Sequence, residues 1–141
     1  MNKINLGRVV IAGLVAGVVL NIGEAILNGL LLAQAMDADF QRMHLTPPGG
    51  IFIVRAVGVT FLLGIVLMFL YAAIRPRFGA GAKTAVCAGL IAWFFVYLYA
   101  AYITEAQGII SAKVYLLALV WGAVEYPIGA IAGAWMYKEE A

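Results

Sequence analysis

Cysteine and histidine are all but missing from this chain: in 141 residues there is one of each, Cys87 and His44. A single cysteine excludes an internal disulfide and any zinc site built from cysteines. A single histidine excludes bis-histidine haem ligation, His-rich metal sites and most histidine-based catalysis within one chain. Charge is scarce too. Only 11% of residues are Asp, Glu, Lys or Arg, where soluble domains carry about a quarter. The net charge of +2 is small, and the basic residues form no patch of the kind that binds nucleic acid. No P-loop, His-Glu-x-x-His, Cys-x-x-Cys or nucleophile elbow occurs. An enzyme is therefore not expected, and neither is a cofactor or a bound metal.

What fills the chain instead is apolar. Hydrophobic residues make up 65% of it, and the mean hydropathy is +1.01. Four apolar stretches stand out, about 6–33, 51–74, 81–104 and 112–137. Each exceeds the roughly 20 residues a helix needs to cross a bilayer core. In lipid each backbone must satisfy its own hydrogen bonds, which forces helix. The expected architecture is all-α: one integral membrane domain over 1–141, a four-transmembrane-helix antiparallel bundle. The first stretch also has marks of a signal peptide, a basic start at Lys3 and Arg8 and an Ala-x-Ala at Ala33-Gln34-Ala35. It is far longer than an h-region of roughly 7–15 residues, and it contains Asn21, Glu24 and Asn28. It is read as a retained span.

Basic residues give the direction. Lys3, Arg8, Arg75, Arg77, Lys83 and Lys138 fall on one side, and Arg42, Arg55 and Lys113 on or near the other. This places the N-terminus, the middle turn and the C-terminus in the cytoplasm. Pro76 is expected to stop span 2, with Gly79 and Gly81 opening the next. The short links at 75–80 and 105–111 require spans 2, 3 and 4 to pack in sequence order. The outer loop, 34–50, carries Met36, Phe40 and Met43 at helical spacing, which predicts a short helix on the membrane surface. Asp37, Asp39, Gln41 and Arg42 point elsewhere and read as solvated. Asp37, Asp39 and His44 are metal-ligand types, but nothing in the sequence fixes their geometry.

The polar residues inside the spans are the most informative. Wound at about 100° per residue, span 1 places Gly13, Gly17, Asn21, Glu24 and Asn28 on one stripe. Span 4 places Ala118, Gly122, Glu125, Gly129 and Gly133 on one face, with Pro127 two residues past the acid and expected to kink the helix. Milder stripes are Thr60, Gly64, Met68 and Tyr71 in span 2, and Gly89, Trp93, Tyr97, Ala100 and Thr104 in span 3. Small residues let helices approach closely, so Gly13, Gly17, Gly122, Gly129 and Gly133 are the expected packing contacts, within the chain or against a second subunit.

A carboxylate in the bilayer costs several kcal/mol unless it is paired, protonated or wet. Glu24 should lie about 8 Å from the outer boundary and Arg55 about 6 Å from it, counting the helical rise. A Glu24–Arg55 ion pair completed by Asn21 or Asn28 is expected. Glu125, nearer the middle, has no basic partner and reads either as a structural, protonated acid or as a proton or cation site. The aromatics of span 3, Trp93, Phe94, Phe95, Tyr97, Tyr99 and Tyr102, offer stacking surface for a lipophile. Tyr99 and Tyr102 suit an outer interfacial belt, and Trp135 with Tyr137 an inner one.

Several segments together are similar to those of small four-helix bacterial inner-membrane proteins. These are Leu20-Asn21-Ile22-Gly23-Glu24 with Asn28-Gly29, Leu70 to Gly79, and Val120-Trp121-Gly122-Ala123-Val124-Glu125. The resemblance covers most of the chain and implies a multi-pass protein of the bacterial inner membrane. It supplies no activity. Small multidrug transporters also carry a glutamate in span 1, but they are shorter, and their loop and aromatic pattern is not matched. The expected function is a non-enzymatic membrane subunit that binds itself or a larger complex within the bilayer. The alternatives are a small proton- or cation-coupled transporter or channel using Glu24 and Glu125, and a protein that binds a lipid or lipophilic cofactor.

Overall fold

The computed structural model describes residues 3–138. Helix α1 runs Leu6–Ile26 and continues through a wider i→i+5 turn, Leu27–Leu31. Helix α2 follows at Ala33–Arg42, then α3 at Gly50–Phe78 and α4 at Ala82–Trp93. A second i→i+5 segment, Phe94–Ala101, joins α4 to the short α5, Tyr102–Ala106. Helix α6 closes the chain at Ala112–Met136. Four helical stretches are long and apolar enough to cross a membrane: Leu6–Leu31, Gly50–Phe78, Ala82–Ala106 and Ala112–Met136. They are called spans 1 to 4 below.

The spans form an antiparallel bundle, and glycine sets its closest approaches. A Cβ on Gly64 of α3 would lie 2.7 Å from the Gly17 backbone nitrogen and against the Gly13 carbonyl of α1. Gly13 in turn faces Ile65, and Gly17 faces Phe61. Positions rise along α1 as they fall along α3, so the two helices run in opposite directions. Span 1 meets span 4 the same way: Gly129 packs on Leu20, and Gly133 on Met68 and Ala16. Between spans 3 and 4, Gly89 sits where a Cβ would come within 2.8 Å of the Pro127 backbone. Spans 2, 3 and 4 are neighbours in sequence order, as expected, and span 1 fits between spans 2 and 4. The five glycines marked for packing therefore all find their contacts inside the chain. Ala12, Ala16, Leu20, Met68 and Ala130 are wholly buried at the centre.

Three expectations are corrected. Pro76 does not stop span 2, because in the last turn a proline forfeits only one ladder bond. The helix runs on to Phe78, and the chain turns at Gly79 and Gly81, whose φ of 85° and 125° only glycine adopts readily. Tyr137 does not belong to an interfacial belt. It is 5% exposed and packs edge-on against Tyr71 at 5.9 Å, while Trp135 is exposed. The third concerns the loop helix. Helix α2 forms as expected, but Asp39 is buried rather than solvated. Its Oδ2 accepts the Ser111 backbone N–H at 2.8 Å, and its Oδ1 pairs with Arg42 at 3.3 Å. Arg42 also donates to the Gly108 and Ile109 carbonyls at 3.0 and 3.4 Å. Asp39 and Arg42 thus clasp α2 to the link between spans 3 and 4, at the residue that begins α6.

Burial acts to raise the Asp39 pKa, but the hydrogen bonds from Ser111 and the adjacent Arg42 outweigh it and hold the carboxyl below its ordinary 3.8. A lowered folded-state pKa gives stability that is complete above the unfolded value and lost as the pH falls through the folded one. The clasp should thus hold at neutral pH, begin to weaken as the pH drops under the ordinary 3.8, and be lost as it falls through the lowered folded value. Asp39→Asn should lower the unfolding free energy at pH 7 by about 1–2 kcal/mol. Thermal unfolding in detergent at pH 7 and pH 3 checks both, and the variant should differ less from wild type at the lower pH.

Candidate functional site

Glu24 and Glu125 arise on different spans and point into one region. Each has a specific local reason to be there. Glu24 lies in the last turns of α1, just before the chain widens into the Leu27–Leu31 turn. Such turns shift side-chain phase and recur at functional sites. Asn28, four residues on, donates its amide to Glu24 Oε2 at 2.8 Å and to the Glu24 carbonyl at 2.9 Å. Across the bundle diagonal, the Tyr97 hydroxyl donates to Glu24 Oε1 at 2.5 Å. Glu24 thus holds two donors from two spans. It is half-buried, and Asn28 is exposed at the end of the bundle that carries α2.

Glu125 is placed more deeply. It is 6% exposed, and among the described residues neither carboxyl oxygen has a hydrogen bond of good geometry. It fits because residue 23 is glycine: a Cβ there would fall 2.5 Å from the Glu125 Cδ and 2.8 Å from its Cγ. Trp121, one helical turn earlier, brings its indole near enough to act on the carboxyl, yet that buried N–H also lacks a well-aligned partner. Gly122 makes equivalent room for Tyr97, whose ring a Cβ would strike at Cε2, 2.5 Å away. The Tyr97 ring meets Tyr126 edge-on, with centroids 5.5 Å apart. Glu24 and Glu125 interact electrostatically with one another and with both tyrosines. Two acids, two phenols and one amide therefore form a single polar cluster within the bundle.

Of the five polar residues that the sequence marked, three are brought together: Glu24, Asn28 and Glu125. Asn21 turns toward α3, donating to the Gly17 carbonyl at 2.9 Å and reaching that of Val57 at 3.5 Å. Arg55 is exposed and makes no ion pair with Glu24. The expected Glu24–Arg55 bridge is corrected accordingly: the two share a depth but not a face, and phenol and amide take the place of guanidinium. Tyr97, Tyr126, Trp121 and Gly23 complete the site. Tyr97 already lay on the inward stripe of span 3. Gly23 was legible only as a small residue beside an intramembrane acid. Among the described residues no three His, Cys, Asp or Glu side chains gather in a way that holds a metal ion.

The span 3 aromatics do not converge on one platform. Phe94 and Phe95 form an exposed edge-on pair, Tyr99 and Tyr102 are exposed, and only Tyr97 is buried. Trp93 instead donates its indole N–H to the Leu119 carbonyl at 2.9 Å, tying span 3 to span 4. An apolar groove between spans 2 and 3, lined in part by Leu63, Leu67 and Phe95, includes no residue of the acid cluster. No protein-family model matches the chain, and no curated protein or solved structure is significantly similar to it.

The glycine beside the acid gives a direct check. Gly23→Ala drives a methyl group onto the Glu125 carboxyl, and overpacking of this kind costs about 1–3 kcal/mol. The melting temperature of the variant should fall. The exposed Gly29, with no heavy atom within 4 Å of where a Cβ would stand, should accept alanine without loss.

Proposed function

We propose that this chain is a small multi-pass protein of the bacterial inner membrane that moves protons or cations, with Glu24 and Glu125 as its working groups. One observation carries this reading: acids from spans 1 and 4 meet around Tyr97, and the deeper one is buried without a well-aligned hydrogen bond among the described residues. Retaining such a group without a compensating bond costs stability, and a structural role would be served as well by leucine or glutamine. Handling an ion accounts for the cost. The two acids also differ in access, as a relay between a medium and a buried site requires. The excess of Lys and Arg at the α3–α4 turn and the two chain ends supports their cytoplasmic placement, with α2 on the outer face. Protein reconstituted into proteoliposomes containing a pH-sensitive dye is the test. Wild type should carry flux that depends on pH, and Glu24→Gln and Glu125→Gln should not. If both variants match wild type, the reading fails.

A second reading, a non-enzymatic accessory subunit of an oligomer or larger membrane complex, draws on Arg55. That side chain is exposed on span 2, about 8 Å along the helix from Gly50, and a partner's carboxylate would pair with it. The glycine faces no longer favour this reading, since they are used within the chain. Mild-detergent purification from native membranes should then yield a larger assembly that Arg55→Ala weakens. A monomer in that preparation would count against it.

A further inference from the structure

We infer that the species this site holds is a proton, that the two carboxyls share it so that the pair keeps one negative charge, and that it resides on Glu125. The assignment rests on the proton- or cation-handling reading above and selects between its two halves. Donors are divided unevenly between the acids. Glu24 accepts from the Tyr97 hydroxyl and the Asn28 amide, at 2.5 and 2.8 Å. Glu125 has only the nearby Trp121 indole, which makes no well-aligned hydrogen bond to it. Hydrogen bonds to the charged form favour it, so the charge belongs on Glu24. An ionised carboxylate buried without a partner is far more costly than a neutral acid, so the proton belongs on Glu125. Two charges this close would also repel each other, and a single shared proton removes that repulsion.

The groups facing Glu125 agree with this from every side. Span 1 presents Glu24, span 3 presents Tyr97, and its own helix supplies Tyr126 and Trp121. The cations of span 2 lie elsewhere: Arg55 is exposed, and Arg75 and Arg77 are in the last turn of α3, at the opposite end, with Arg75 over the Tyr137 ring. The packing points the same way. The Glu125 carboxyl lies against the backbone at Gly23, and the Tyr97 ring against the backbone at Gly122. A proton needs no added space, whereas a metal ion needs a shell of oxygens and an organic ammonium needs a cavity.

The transfer balances simply. The proton leaves the Glu125 carboxyl, which becomes a carboxylate, and the Glu24 carboxylate accepts it and becomes the neutral acid. Glu24 then yields it through its half-exposed edge beside Asn28. Toward the opposite end, Leu20, Ala16, Met68 and Ala130 are wholly buried, so the exposed edge of the pair is the one on the α2 side.

Infrared spectroscopy of the purified full-length protein tests this without requiring transport. A protonated carboxyl has a C=O stretch separate from the amide and carboxylate bands. Wild type at neutral pH should show it, Glu125→Gln should lose it and Glu24→Gln should keep it. Glu125→Asp should move its frequency, which serves if the glutamine variant does not fold. A band lost in Glu24→Gln but kept in Glu125→Gln would overturn the assignment, as would no band in wild type. Flux without a Glu125 band would overturn the proton assignment and leave cation transport standing. A Glu125 band without flux would uphold the assignment and remove the transport reading.

Discussion

Glu125→Gln is expected to cut the rate of pH-driven proton entry into proteoliposomes by about 100-fold or more, the lower range for loss of a positioned acid–base group. Glutamine keeps the size and polarity of the side chain but cannot release a proton. Glu24→Gln should have a loss of similar size, because a proton on Glu125 has no other acid to pass to. The informative variant is the double one. Residues that act as a unit are strongly non-additive, so Glu24→Gln/Glu125→Gln should be no worse than either single change. Independent contributions would instead multiply the two losses. Far-ultraviolet circular dichroism should be unchanged in all three, since neither acid supports the helices through a backbone bond.

The second large effect is on folding. Gly64→Ala should destabilise the bundle by about 3 kcal/mol, at the upper end of what overpacking costs. The added methyl would meet the backbone of both Gly13 and Gly17, and backbone cannot rotate away as a side chain can. Spans 1 and 2 would have to separate along their whole line of contact. Gly58→Ala, on the same helix, is the matched control. No heavy atom lies within 4 Å of its Cβ position, so it should be neutral or gain up to about 1 kcal/mol from helix propensity. Thermal or denaturant unfolding in one detergent separates the two cases.

The four helical stretches were legible because length and apolarity alone require them. The glycine faces of spans 1 and 4 were legible because both helices are regular where those residues fall. Ala118, Gly122, Glu125, Gly129 and Gly133 are all buried. Span 3 departs from its stripe beyond Tyr97: Ala100 is exposed and Ala101 half-buried. The i→i+5 segment Phe94–Ala101 resets the phase there, and a count at 3.6 residues per turn cannot foresee it. Arg55 was misplaced because depth along a helix says nothing about rotation around it. Asp39 was misread because its partner, Ser111, is 72 positions away. Glu24 and Glu125 were each recognisable as costly residues, whereas their convergence on Tyr97 depends on how three spans rotate against one another, and no single helix records that.

Two tyrosines two residues apart provide the sharpest comparison. Tyr97 is buried and donates to Glu24, while Tyr99 on the same segment is 59% exposed. Proton flux in proteoliposomes should therefore be measured for Tyr97→Phe and Tyr99→Phe beside wild type. Tyr97→Phe removes a hydrogen bond to a charged group, worth about 1.5–3 kcal/mol, and should slow flux about tenfold or more. Tyr99→Phe should leave it at the wild-type rate. Equal flux in the two variants would contradict a working site built on Glu24, Tyr97 and Glu125.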